Sequence, residues 1–148
     1  MKDPHLVRKE IIEIKDVLPL IVFTPKELSA QSHPEAMKVI LGDPINVTSL
    51  KLQTFKECGV RCRICGCKGE YFAKEKYADQ PYFHLNLYAV KDGLEVLMTK
   101  DHIIPIAKGG RDRLNNFQTL CYECNRKKAS QTKDAVKKKR LKAKGPEK

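Results

Sequence analysis

Two short cysteine pairs constrain the fold of this chain more than any other feature of its sequence. Cys62 and Cys65 form one Cys-x-x-Cys pair, Cys121 and Cys124 form another, and 55 residues lie between the pairs. Two cysteines three positions apart on a tight turn can direct both thiolates at one metal ion, and two such pairs complete a tetrahedral zinc site. We therefore predict a structural zinc ion that joins the two segments. Free buried cysteines are the alternative, which the paired spacing disfavours.

Composition indicates the class of partner and the compartment. The chain has 148 residues and a formal net charge of +11, which favours one domain with a modest core and a polyanionic partner. Six cysteines, with no secretion signal or membrane-length apolar run, predict metal binding in a reducing cytoplasm rather than disulfides. Cys58 and Cys67 lie outside the two pairs. Either could replace a neighbouring ligand, although the regular spacing argues against it.

The first 45 residues carry signals for local structure but no recognisable chemistry. An apolar-rich run up to residue 23 predicts one or two short strands. A capping box at Thr24–Glu27, with proline at the first helical position, predicts a helix that ends near Gln31. A second helix is predicted from Pro34 to Gly42. This extension could serve as a brace, a partner surface or a specificity element.

The rest of the chain has clearer periodicity. A helix is predicted for Asn46–Glu57, leading into the first cysteine pair, and residues 67–82 are polar enough to predict a surface loop. Residues 82–90 and 94–99 predict two strands joined by the turn Lys91-Asp92-Gly93. A final helix is predicted from Cys121 to about Ala135.

A second constellation follows the predicted hairpin. Asp101 and His102 precede a Gly-Gly pair, and Asn116 and Asn125 follow it. His102 is separated from Asn116 by 13 residues, and Asn116 from Asn125 by 8. This arrangement resembles the HNH endonuclease family, whose motif reads Asp-His, a Gly-Gly loop, Asn, and then Asn or His on a helix. Each residue alone has an ordinary structural explanation, such as a helix cap, but their joint spacing inside the cysteine frame favours the nuclease interpretation.

The resemblance implies a role for each of these residues in phosphodiester hydrolysis. His102 would be the general base, because an unperturbed imidazole titrates near pH 6.5 and can accept a proton from water. Asp101 and Asn125 would bind one divalent cation at the scissile phosphate. Asn116 would brace the loop and orient His102 without binding the cation.

Two details qualify this expectation. Asn125 stands where many family members carry histidine, and an amide oxygen is a harder ligand than imidazole, which favours Mg²⁺ or Mn²⁺ as the catalytic cation. Asp101 and His102 are neighbours, so on a regular strand they point to opposite sides. A shared site therefore predicts a local distortion at the end of the strand.

Basic side chains surround this segment and predict contacts with phosphates of a nucleic acid. A solvated cationic surface is the alternative interpretation. For the tail from Lys133 onward, the two interpretations have equal weight. His84 lies in a predicted strand, where an ordinary strand histidine is the simpler interpretation. The predicted nucleic-acid contacts are Lys108, Arg111, Arg113, Arg126, Lys127 and Lys128.

These observations predict an α+β protein with a small zinc-braced ββα-metal HNH fold. We expect an extension of short helices and possible strands at residues 1–45, the HNH nuclease domain with its zinc knuckle at residues 46–132, and a basic tail at residues 133–148. The expected function is Mg²⁺- or Mn²⁺-dependent cleavage of DNA, most naturally double-stranded, in the cytoplasm. The alternatives are a non-catalytic zinc-dependent DNA-binding module and a structure-selective or RNA-directed nuclease.

Overall fold

Within residues 3–144, seven strands and three α-helices form a mixed α+β fold, as predicted. The computed structural model describes residues 3–144, with side chains up to residue 134. The strands are β1 (Leu6–Ile12), β2 (Met37–Ile40), β3 (Asp43–Asn46), β4 (Gly69–Tyr77), β5 (His84–Lys91), β6 (Leu94–His102) and β7 (Phe117–Cys121). The helices are α1 (Ile14–Val17), α2 (Leu50–Cys58) and α3 (Tyr122–Lys144). An antiparallel sheet has the strand order β1-β4-β5-β6-β7, and β2 pairs with β3 in a separate hairpin.

The N-terminal 45 residues differ from their prediction. The apolar run contains one strand, β1, followed by the short helix α1. Both predicted helices are wrong: Thr24–Gln31 is irregular, and Pro34–Gly42 forms one 3₁₀ turn and then β2. The chain reverses between β2 and β3 through Leu41 and Gly42, whose φ angles are +48° and +87°. Glycine adopts this left-handed region without a Cβ penalty, so Gly42 closes a hairpin rather than a helix.

The surface loop predicted for residues 67–82 is also wrong, because most of it is β4, an interior strand of the sheet. The sequence of β4 is polar although the strand is buried, because its charged side chains form ion pairs. The Lys74 ammonium lies 2.7 Å from Glu10 and 2.6 Å from Asp43. The Glu75 carboxylate lies 2.7 Å from the Arg8 guanidinium. Lys74 and Glu75 are at most 1% exposed, as charged residues can be only when they are paired.

The hairpin predicted from residues 82–90 and 94–99 is confirmed as β5 and β6, and β6 changes its partner along its length. Residues Leu94–Leu97 pair with Tyr88–Lys91 of β5. From Met98 to His102 the strand pairs instead with β7, which the sequence did not predict. The first part of β5 is therefore not paired with β6, and the two strands diverge like the arms of a fork.

Two helices pack against the β6–β7 pair. The predicted helix before the first cysteine pair is confirmed as α2, although it begins at Leu50, where the Ser49 hydroxyl accepts a hydrogen bond from the Leu52 N–H. Both α2 and α3 contact β6 and β7. The core includes fully buried Phe55, Met98 and Leu120, each of which contributes about 1.5–3 kcal/mol by leaving water. No helix within residues 3–144 combines the length and apolar character needed to cross a membrane.

Candidate functional site

The end of β6 presents Asp101 and His102 to opposite faces of the strand. Asp101 pairs with Gln118 and His102 with Phe117 in unbroken register, so the predicted distortion of the strand is wrong. The Asp101 side chain points toward α3, because its carboxylate contacts Lys128 of that helix at 2.5 Å. The His102 ring lies on the other face, with its centroid 5.0 Å from that of Phe117. The two side chains therefore lie on opposite faces at the last two positions of β6.

His102 is paired with a carboxylate that the sequence analysis did not identify. The Nε2 atom of His102 lies 2.5 Å from Oδ1 of Asp112, in the loop between β6 and β7. His102 is 28% exposed and Asp112 is 67% exposed, so the pair faces solvent. The hydrogen bond from His102 holds the pKa of Asp112 below its usual value, and Lys100 adds to this effect. An ionised Asp112 favours the proton on Nε2 and leaves Nδ1 as the basic nitrogen.

Asp101 is held by a lysine and an amide. Its Oδ2 atom accepts hydrogen bonds from Nζ of Lys128 at 2.5 Å and from Nε2 of Gln118 at 3.0 Å. The Lys128 ammonium also donates to the backbone carbonyls of His102 and Ile103. One carboxylate and two carbonyl oxygens therefore surround a positive charge at the end of β6. Oxygen donors of this kind suit a hard cation such as Mg²⁺ or Mn²⁺.

Asn125 lies one helical turn before Lys128 on the same side of α3. Its Nδ2 group donates to the Thr99 hydroxyl at 2.8 Å. Thr99 and Asp101 share one face of β6, because alternate residues of a strand point the same way. The hydrogen bond occupies the amide nitrogen and leaves the oxygen of Asn125 as the atom that a cation could use.

Asn116 ties together the loop that carries Asp112. Its side chain accepts from the Ile104 N–H at 2.9 Å and donates to the Ile104 carbonyl at 3.0 Å and the Arg111 carbonyl at 2.9 Å. Gly110 lies so close to the Ile104 backbone that an added Cβ would be 1.7 Å from the Ile104 carbonyl oxygen. Only glycine can occupy this position without moving the loop, and the position of Asp112 depends on the loop.

A cluster of cysteine thiols lies behind the site. The Sγ atoms of Cys62, Cys65, Cys67 and Cys121 all lie within 4.8 Å of one another. Cys124 is not a member of that set, but its thiol interacts with those of Cys121, Cys62 and Cys65. Such a cluster could bind a metal ion such as zinc, which takes four thiolates in closed structural sites. Cys58 lies apart, and its thiol donates to the Phe117 carbonyl at 3.4 Å.

The thiols differ in how readily they ionise. The backbone N–H of Cys67 lowers the pKa of Cys65 to about 6, and the Lys91 ammonium, 3.4 Å away, adds to this effect. Burial raises the pKa of Cys67 and of Cys124 to about 12. The lowered pKa of Cys65 favours its thiolate, the form that binds a metal. A cation would be needed to draw the protons from Cys67 or Cys124.

The comparison with known families agrees with this geometry. Residues 90–141 match the profile of a family described as HNH endonuclease, and they contain the whole of β6, β7 and the loop between them. The match supports assignment of this segment to the HNH endonuclease family. The assignment indicates nuclease activity on nucleic acids. Searches of curated proteins and of solved structures found no match.

The basic residues of the HNH segment differ in their surroundings. Arg111 and Arg113 flank Asp112 in the loop, and Lys108 ends a 3₁₀ turn in the same loop. Arg126 lies over the Tyr122 ring at 5.7 Å and lines a shallow surface depression with Lys127. Lys128, in contrast to the prediction of a free phosphate contact, is held by Asp101. The tail predicted from residue 133 overlaps α3 up to Lys144, and residues 145–148 lie outside the described part of the chain.

Sequence reasoning missed several partners in the HNH site. Asp112, Gln118 and Thr99 each contact a predicted site residue. None is at a motif position, and the partnerships depend on the path of the loop and the register of β7. The only available signal for Asp112 was an acidic residue between two arginines after the Gly-Gly pair, and many surface loops share that pattern.

Proposed function

We propose that the chain is a divalent-cation-dependent endonuclease that hydrolyses phosphodiester bonds of double-stranded DNA. The observation that carries the proposal is the position of His102, at the end of β6 within the matched HNH segment and paired with Asp112. Asp101 lies on the opposite face of the same strand end. A phosphate placed across this end can meet both side chains.

In the proposed reaction, Nδ1 of His102 accepts a proton from a water molecule whose oxygen attacks phosphorus. Asp112 holds the imidazole in the tautomer that leaves Nδ1 free and stabilises the imidazolium that forms. The bond from phosphorus to the 3′ oxygen breaks and that oxygen gains a proton, giving 5′-phosphate and 3′-hydroxyl ends. Asn116 keeps the loop, and with it Asp112, in position.

Asp101 and the amide oxygen of Asn125 are the proposed ligands of the divalent cation. When bound, such a cation neutralises phosphate charge and stabilises the departing oxygen. Lys128 must then release Asp101, and its ammonium is free to contact a phosphate. For the cysteine cluster we propose that Cys62, Cys65, Cys121 and Cys124 bind a structural zinc ion, because the members of each pair are three positions apart, the spacing at which two thiolates can bind one metal ion.

One observation favours a second candidate, a non-catalytic DNA-binding module. The Lys128 ammonium on Asp101 is the arrangement expected if no divalent cation ever binds there. An intact His102–Asp112 pair argues against this candidate, because a protein that only binds DNA has no use for a base beside the strand end. An RNA-directed or structure-selective nuclease would use the same residues and differ only in its substrate.

Cleavage assays on plasmid, linear duplex, single-stranded DNA and RNA, with and without added Mg²⁺ or Mn²⁺, test the proposal. His102→Ala should lower the rate by about 10²–10⁴-fold with little change in stability or in affinity for DNA. The matched control is His33→Ala, because His33 is also partly exposed and lies 3.1 Å from a carboxylate, that of Glu35. Its rate should equal that of the wild type. Wild-type protein that binds DNA but cleaves nothing with any divalent cation would establish the binding module instead.

A further inference from the structure

The fork between β5 and β6 contains a cavity that the proposed reaction does not use. Its volume is about 330 Å³, within the roughly 300–1,000 Å³ of typical ligand pockets. His84 and Leu85 of β5, Lys100 of β6, and Ser49 and Lys51 at the start of α2 line it. It exists because β6 leaves β5 after Leu97 to pair with β7. We call it the fork cavity.

Positive charge dominates the fork cavity. Lys51 donates to the Asn86 amide oxygen at 2.6 Å, and within residues 3–134 it makes no ion pair. Burial lowers the pKa of Lys51 to about 8, since the nearby carboxylates of Glu75 and Glu27 do not offset the cost of desolvation. Lys100 is a second cation on the wall, and Glu27 is the one acidic residue among the described lining residues. An anion entering the cavity would supply the missing counter-charge.

Lys100, on the wall of the cavity, lies close to the candidate cleavage site. Lys100 and His102 lie on the same face of β6, about 7 Å apart at the spacing of alternate strand residues. Both contact Phe117: the Lys100 ammonium lies 4.4 Å from the centre of that ring, and the His102 ring centroid lies 5.0 Å from it. A phosphate backbone that passes His102 can therefore next meet Lys100 on the same face of the strand, and Lys51 lies across the cavity from there.

We propose that the fork cavity is a subsite for a backbone phosphate of the substrate strand, next to the scissile phosphate and held by Lys51 and Lys100. This rests on the proposed nuclease function, which supplies the strand. Tyr82, 46% exposed and also lining the cavity, offers a ring on which the attached nucleotide can stack. The N-terminal extension contributes Glu27 to the wall, which gives that extension a part in placing the substrate.

Salt-dependent binding to a duplex, in buffer without added divalent cation, tests the subsite independently of cleavage. Lys51→Gln removes the charge but retains a donor for Asn86. It should lower the slope of log affinity against log salt by about 0.9, the value of one phosphate contact on duplex DNA. The control is Lys56→Gln, which removes the same charge from the same helix at a residue that donates to the Ile21 carbonyl at 2.9 Å and is not among the lining residues. Its slope should not change.

A phosphate-by-phosphate experiment locates the contact. Single methylphosphonates on either side of the cleaved bond remove one phosphate charge at a time. In the wild type, one of them should weaken binding, and the same substitution should have little further effect on Lys51→Gln. Equal losses in both proteins at every position would overturn the subsite, even if the wild type cleaves normally.

A structural role for Lys51 is the competing explanation, because Asn86 also donates to Glu75 at 3.0 Å. Loss of stability with an unchanged salt slope would establish that role and overturn the proposal. Lys100→Gln, on the opposite wall, provides a second variant and should lower the slope in the same way. If the wild type fails to cleave but both variants lower the slope, the nuclease function fails and the phosphate site stands.

Discussion

Two lysines in this protein are held by nearly the same groups, and they differ in what surrounds them. The Lys74 ammonium contacts the carboxylates of Glu10 and Asp43 and the consecutive carbonyls of Ile40 and Leu41. It is completely buried. It joins β4 to β1 and to the β2–β3 hairpin, and its ammonium has no access to water.

The Lys128 ammonium likewise contacts a carboxylate and two consecutive carbonyls, those of Asp101, His102 and Ile103. Here only one carboxylate is present, and the lysine side chain is 22% exposed. Solvent can therefore take over from either partner, and another cation can take the place of the ammonium. A similar arrangement of oxygen atoms therefore fixes Lys74 permanently and leaves Lys128 exchangeable.

The largest effect should come from the cysteine cluster, where one metal ion would join segments that are far apart in the sequence. Cys124→Ser should lose bound zinc and cooperative folding together, since structural zinc sites contribute roughly 10–16 kcal/mol of apparent binding free energy. Elemental analysis and urea unfolding would measure both. Cys67→Ser should keep one zinc per chain. The reverse result would identify Cys67 rather than Cys124 as the fourth ligand, and a folded wild-type protein without zinc would contradict the structural site.

Lys74→Met should be the next most damaging change. Removing one partner of a buried ion pair costs about 3–5 kcal/mol because the remaining charge stays buried. Lys128→Met, at the more exposed position, should change the free energy of unfolding by about 1 kcal/mol or less. Urea unfolding of the two variants compares the two lysines directly. Similar losses would show that both positions are structural.

Acid should weaken the Lys74 centre. Hydrogen bonds from Lys74 and Lys9 hold the pKa of Asp43 below its ordinary value. The stability that this carboxylate contributes is therefore present above its unfolded pKa, near 3.9, and is lost as the pH falls through its lower folded value. Asp43→Asn should flatten the fall in stability below about pH 4, measured by urea unfolding. Asp112→Asn, at the exposed His102 pair, should flatten it less.

The smallest effect concerns cation exchange at Asp101. Lys128→Met removes the competing ammonium, so Mn²⁺ should bind about 2–5-fold more tightly, the equivalent of about 0.4–1 kcal/mol, in the range of an ion pair that solvent can reach. Calorimetric titration without nucleic acid measures the affinity independently of cleavage. Lys127→Met is the control, because Lys127 precedes it on α3 and lines the depression beside Arg126 instead. Weaker Mn²⁺ binding to Lys128→Met would mean that the ammonium organises the ligands rather than competing for them.

The sequence was most informative where chemistry sets the spacing. Cysteine pairs and the Asp-His, Asn and Asn positions have intervals that local geometry dictates, so they pointed to the end of a strand and the start of a helix. The sequence was least informative where a charge is buried. Lys74 and Glu75 read as surface residues, and their partners Glu10 and Arg8 are more than 60 residues away, so nothing local indicated β4.

The failed helix predictions have a different cause. A capping box involves only one turn of the chain. The Thr24 hydroxyl was expected to cap a helix, but it donates to the Lys26 carbonyl at 2.5 Å. Gly42 is equally suited to ending a helix and to closing a hairpin, and pairing of β2 with β3 decided between them. In the site, the positions of Asp112 and Lys100 depend on the path of the loop and on strand register. Residue spacing along the chain predicts neither.

Because β6 pairs first with β5 and then with β7, the number of residues in this strand cannot change without moving the site. Deleting one residue between Leu94 and Lys100 would reverse every later side chain, turning His102 toward α3 and Asp101 toward Phe117. The turn at Asp92 and Gly93 lies outside both ladders and can lengthen at small entropic cost. Proteins that share this site should therefore vary in length at that turn, whereas insertions and deletions should be absent from the strand itself.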